Sequence, residues 1–235
     1  QHIQRVDGRG NPDHSEIDQR FLMAPWAPAA NILLDVRMKE EAQRMADAMG
    51  DGKGRRGSIL EGGGDLLGCL GELAFKQMLQ DSVYGEHGYG GGPLKIKHQT
   101  QDHPELKSPF DLDVQGIKID VKTKWSKGMP KYNWEASVAM GREDDSELPQ
   151  DVDVFAFMRI LYNEKEMIGK TKVPGMVGYF CGWLPKKQFY KRAVGIKKGE
   201  IDPRPTNYNK FKSHKSQWNV FHHELNPSVG ELLFP

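Results

Sequence analysis

The sequence is poor in cysteine: only Cys69 and Cys181 occur among 235 residues, each inside an apolar segment. Two such thiols support neither a disulfide framework nor a cysteine-based zinc site, and a reducing cytoplasm is the expected compartment. Long hydrophobic runs are also missing. No stretch approaches the roughly 18 apolar residues of a membrane span, so no membrane partner is expected. There is no basic, apolar and small-residue leader pattern, and Gln1 is not a translational start, which leaves open processing or an added segment within "QHIQRVDGRGNPDHSEIDQR". The glycine clusters at 62–64 and 85–92 are followed by no Gly-Lys-Ser/Thr, so they offer no triphosphate cradle. Internal repeats, heptads and low-complexity tracts are absent, and no local motif ties a Ser-His-Asp arrangement together. His222 and His223 are adjacent and point different ways, which is poor geometry for one metal, so a surface or partly packed role is expected. His98 and His103 stand in polar surroundings and are expected to be solvated.

What is present fits one soluble α/β domain, with 37% apolar and 28% charged residues. Residues 1–30 read as an irregular N-terminal arm, and 31–235 as a single domain with a basic, aromatic C-terminal extension over 196–235. Helical spacing of Ile32, Val36, Met45 and Met49 predicts a helix in "NILLDVRMKEEAQRMADAMG", stopped at Gly50. A second helix is expected after Asp65 in "LLGCLGELAFKQMLQ". Interior strands are expected in "VDVFAFMRIL" and "GMVGYFCGWL", then a short basic helix behind Pro185 in "PKKQFYKRAV". A net charge of +1 hides a strong asymmetry: residues 165–220 hold thirteen Lys/Arg against three Asp/Glu, while 141–153 hold six acids and one arginine. A basic C-terminal third suits a polyanionic partner, and equally a solvated lysine-rich face.

The stretch "SPFDLDVQGIKIDVKTKW", residues 108–125, alternates like a half-buried hairpin. A two-residue turn at Gln115-Gly116 would pair Val114 with Ile117 and set Asp111 across from Asp120. Leu112, Val114, Ile117, Ile119 and Val121 would then face the core, with Asp111, Asp113, Lys118, Asp120 and Lys122 on the other side. Carboxylates opposed at about 5 Å repel unless a cation lies between them. A hard divalent ion such as Mg²⁺ accepts one or two carboxylates and keeps positions open for water and phosphate oxygens. Lys122 would stand beside it, able to orient water and to meet charge developing on a phosphate. The plainer reading is an Asp113–Lys118 cross-strand pair on a wet sheet face.

An acid ending one strand, a turn, then acid-x-Lys on the next resembles the PD-(D/E)XK nuclease superfamily. The matching residues are Asp111, Asp120 and Lys122, and "LGCLGELAFKQML" resembles the family's preceding helix, with Glu72 in place and Gly68 and Gly71 keeping its surroundings uncrowded. The resemblance covers residues 60–195 and implies a restriction endonuclease-like core, a central mixed sheet of about four to five strands flanked by helices. It implies Asp111 and Asp120 as Mg²⁺ ligands (with Mn²⁺ expected to substitute), Glu72 completing or supporting the site, Asp113 able to replace Asp111, and Lys122 as the catalytic lysine. The implied activity is hydrolysis of DNA, as an endonuclease, with RNA and a homodimer left open. Lys124, Trp125, Lys127 and Lys131, in a Lys-rich loop with interleaved aromatics, are candidate nucleic-acid contacts; Trp134 in the same loop is a possible stacking ring. Lys186, Lys187, Lys191 and Arg192 on the basic helix, with Lys210 and Lys212 beyond, are candidate phosphate contacts. A non-catalytic nucleic-acid module on the same fold, or a protein-interaction domain with a basic stripe, are the rival readings.

Overall fold

The computed structural model describes residues 28–49, 63–85, 94–102, 110–140, 151–161, 176–204 and 212–233. Most of the expected arm, Gly50, both glycine clusters apart from Gly63, Gly64 and Gly85, His103, the acidic stretch 141–150 and Lys210 lie outside these residues. In chain order the elements are β1 (Ala30–Leu33), α1 (Val36–Ala48), α2 (Gly63–Gly85), β2 (Ile96–His98), α3 (Gln99–Asp102), β3 (Leu112–Val114), β4 (Ile117–Ser126) and β5 (Glu135–Ala139). Then follow β6 (Val154–Leu161), β7 (Val177–Pro185), α4 (Lys186–Arg192), β8 (Val194–Ile196), β9 (Gln217–Phe221), a 3₁₀ turn at His222–Glu224 and α5 (Val229–Leu233). The fold is α/β, with a six-stranded mixed sheet in the order β1-β7-β6-β4-β3-β2 and a second sheet in the order β5-β9-β8. The expectation of four to five strands in one sheet is thereby corrected.

The first helix starts later than its periodicity predicts. Asp35 keeps an extended backbone and its carboxylate accepts the Met38 N–H at 2.8 Å, so it caps a helix that begins at Val36. Ile32, counted into that helix, belongs instead to β1, an edge strand paired with β7. α2 begins at Gly63, so Asp65 lies within its first turn and is not its cap. Leu67, Cys69, Leu70, Leu73, Ala74, Phe75 and Leu79 of this helix are all buried, as expected of a helix covered on several sides. One side meets Ala42 and Met45 of α1, and another meets the apolar face of the main sheet. The Phe75 and Phe180 rings lie 5.4 Å apart there. Each such fully buried side chain contributes on the order of 1.5–3 kcal/mol relative to exposure.

β6 is buried on both sides, which is why its sequence reads as a continuous apolar run. Val154, Ala156, Met158 and Ile160 join the α2 side, while Phe155 and Phe157 join a second cluster with Val138, Leu184, Phe189 and Val220. That second cluster is the space between the main sheet, the small sheet and α4. The C-terminal segment is therefore no appended extension: β9 pairs with both β5 and β8, and Trp183 exchanges backbone hydrogen bonds with Asn226. Its strands, five residues or shorter, carry no strong alternation for a sequence reading to detect.

Helix and sheet approach closely at Gly71, where an added Cβ would fall 1.8 Å from Thr123 Oγ1 on β4. Gly71→Ala is expected to destabilise the fold by about 1–3 kcal/mol through overpacking. Thermal unfolding checks this, and an unchanged midpoint would refute the tight α2–β4 contact.

Candidate active site

The hairpin turn has the anticipated geometry. Gln115 and Gly116 have φ of 54° and 91°, the paired positive values of a type I′ turn. Val114 is opposite Ile117, Asp113 opposite Lys118 and Leu112 opposite Ile119. Asp113 turns its carboxylate to the Gly116 N–H at 2.8 Å, securing the turn. Lys118 does not pair with Asp113; it reaches Asp151 on the approach to β6. One step beyond Leu112, the Asp111 N–H donates to Ile119 O at 2.9 Å, and its carboxylate accepts the Val121 N–H at 2.7 Å.

Four expected residues gather where β3, β4 and α2 meet. Asp120 is nearly buried and its carboxylate lies 2.6 Å from the Lys122 ammonium. Glu72, also nearly buried, reaches the site from α2, and its carboxylate meets His98 Nε2 at 2.9 Å. Burial, and then the charges of Glu72 and Asp120, push the Asp111 carboxyl well above its usual range, against the opposing pull of Lys122 and the Val121 N–H. Burial, and then Asp120, also raise the Tyr190 hydroxyl, which places this side chain of α4 at the border of the cluster. Since Asp113 is spent on the turn, Asp111 is the hairpin acid that feels Glu72 and Asp120.

The donor set consists of hard carboxylate oxygens whose repulsion a cation would relieve, so its chemistry fits Mg²⁺ or Mn²⁺. Asp111, Asp120 and Glu72 would hold the ion. Each of these carboxylates already has a protein partner, and among the described residues no group of three or more His, Cys, Asp or Glu is arranged as a finished metal cage.

The expected nucleic-acid contacts divide. β4 continues to Ser126, so Lys124 and Trp125 lie on a strand and not in a loop. Trp125 packs against the main core, and the Arg159 guanidinium covers Trp134 at 5.3 Å, so neither ring is an open stacking platform. Lys124 points into a cleft of about 190 Å³ between β4, β5, β6 and β9, where its ammonium donates to Ser137 Oγ at 2.7 Å and lies 3.3 Å from Glu135. Lys127, Lys131, Lys187, Lys191, Arg192 and Lys212 are exposed, while Lys186 is half-buried. Arg192 also donates to Glu224 O at 2.6 Å, tying α4 to the 3₁₀ turn.

Two histidines depart from expectation. His98 is a buried strand residue, although its alternation with Ile96 was a readable hint. His222 is buried as well, held well below its usual pKa by burial and then by Arg159, whereas half-buried His223 turns to Tyr132 O at 3.0 Å. Arg159, Glu135, Ser137 and Tyr190 belong to no motif. The arginine inside the apolar run "VFAFMRIL" was still a signal, because a charge in a doubly buried strand needs partners. It finds them in Glu135 O at 2.6 Å and the face of Trp134.

The raised proton affinity of Asp111 has a stability consequence. Its contribution is complete below the ordinary carboxylate pKa of 3.8 and is lost as pH rises through the raised folded value, so at neutral pH the cluster destabilises the fold. Asp111→Asn, which can still accept the Val121 N–H, is expected to raise the unfolding midpoint at pH 7 by roughly 2–4 °C, about 1 kcal/mol, without added metal. A lower midpoint in the variant would contradict the crowding. Comparison of the chain with family models, with curated proteins and with solved structures gave no match.

Proposed function

We propose that the chain is a metal-dependent phosphodiesterase acting on DNA, with a restriction endonuclease-like core. The observation that carries this reading is the meeting of Asp111, Asp120 and Glu72 where β3, β4 and α2 come together, with Lys122 paired to Asp120. A divalent ion bound there would neutralise phosphate charge and lower the pKa of a water. Asp120 holds the Lys122 ammonium at the site, where it can donate to a non-bridging phosphate oxygen or orient the attacking water. His98 fixes the Glu72 carboxylate, and Gly71 lets the helix come close enough for Glu72 to reach. The exposed cations of α4 and of the strands around it supply attraction to the backbone without reading sequence.

The engagement of every carboxylate by a protein group is the observation that favours the rival, a nucleic-acid-binding module without catalysis. Cleavage separates the two. With Mg²⁺, wild type is expected to cut at least one of plasmid, linear duplex, single-stranded or branched DNA, EDTA to stop it, and Lys122→Ala to lower the rate about a hundredfold or more. Equal rates for wild type and Lys122→Ala, or salt-sensitive binding with no cleavage of any form, would refute the enzyme.

A further inference from the structure

Lys122 borders two sites at once. On one side lies Asp120, and on the other opens the cleft of about 190 Å³ that Lys124, Arg159, Lys215 and Glu135 also line. The even-numbered side chains of β4 run from the carboxylate cluster straight into this space, since Lys122 and Lys124 share a face of the strand. Lys124 lies directly across from Arg159 of β6 in the parallel register, so their two charges are adjacent by construction. Ser137 and His222 close the opposite wall.

The charges are unbalanced. With Lys122 committed to Asp120, three cations face one carboxylate among the described lining residues, a surplus of two positive charges. Burial lowers Lys124 to about 8 in spite of Glu135, with Arg159 and Lys215 adding smaller contributions in the same direction. For Glu135, burial works to raise the carboxyl, yet Lys124 and then Arg159 hold it at about 2. A dianion would balance the surplus, and a phosphomonoester carries about −1.5 to −2 at neutral pH where an interior diester carries one charge. Size agrees: a cleft of about 190 Å³ has room for a phosphate group with its sugar.

We propose that this cleft receives the terminal phosphomonoester of a nucleic-acid strand, setting the end of the strand, and not an interior stretch, beside Lys122. The proposal rests on the phosphodiesterase reading of the neighbouring carboxylates and turns the expected endonuclease into an end-directed one. Lys124 and Arg159 form the floor, and exposed Lys215 stands at the mouth.

The test offers wild type, Lys124→Gln and Lys215→Glu short DNA strands and duplexes bearing a 5′-phosphate, a 3′-phosphate or only hydroxyl ends, with Mg²⁺. Wild type should hydrolyse one phosphorylated form about tenfold faster than the hydroxyl-ended form, and both variants should lose most of that preference. In parallel, calorimetry measures inorganic phosphate and deoxynucleoside 5′- and 3′-monophosphates on the same proteins. Wild type should bind at least one, and each variant about tenfold more weakly. An active wild type indifferent to end chemistry, no binding at millimolar concentration, or binding unchanged in the variants would overturn the proposal. Should no DNA be hydrolysed at all, the phosphodiesterase reading falls by itself and the binding arm decides the cleft. Should Lys124→Gln not fold, Lys215→Glu alters only an exposed side chain and carries the comparison.

Discussion

The contact between Gly71 of α2 and Thr123 of β4 governs what the rest of the molecule can do. A helix normally stands off a sheet by the thickness of its side chains. Removing one side chain at the crossing draws the α2 backbone down onto the strand, and Glu72, the next residue, arrives beside the hairpin. From that approach follow the buried Glu72–His98 contact, the raised proton affinity of Asp111 and the concentration of negative charge beside the β3–β4 hairpin. The apolar remainder of α2 supplies the energy that holds this arrangement, because crowded carboxylates would otherwise push the elements apart.

β4 organises the polar chemistry as α2 organises the core. Its odd-numbered residues serve the hydrophobic side, as Ile119 and Val121 do, while Asp120, Lys122 and Lys124 form a gradient from acid to base along the opposite face. Pairing with β6 continues that gradient into Arg159, and the small sheet folds over its basic end. A single strand thus passes from a carboxylate-rich environment at Asp120 to a cation-rich one at Lys124 within about 13 Å.

Much of this was readable from local pattern. A two-residue turn at Gln115-Gly116, strict alternation on both sides of it and an acid-x-Lys spacing placed Asp111, Asp120 and Lys122 correctly relative to one another. Glu72 was reached through a resemblance and not through periodicity. The strands β6 and β7 announced themselves by their apolar, β-branched and aromatic runs. What stayed hidden depends on distant pairing: β1 was absorbed into a helical pattern because Ile32 fits both periods, and β5, β8 and β9 are short strands defined only by each other. The cleft was invisible for the same reason, since Glu135 and Ser137 come from one strand of a nonlocal ladder and His222 follows the other strand.

That ladder also sets an order of events. Glu135 pairs with Phe221, and Trp183 with Asn226, so the small sheet and the bulged strand β7 close only across long intervening chain. Gly182, with φ of 131°, has no room for a side chain against Leu225 and Asn226, which makes the late segment a template for the bulge it covers. Contacts so distant in sequence carry a large loop-closure entropy and form slowly. The α2–hairpin unit, whose Gly71–Thr123 contact closes a shorter loop than the Glu135–Phe221 pair, can condense before the small sheet covers the basic cleft. During synthesis from the N-terminus, the small sheet can close over the cleft only after residues near 221 have emerged.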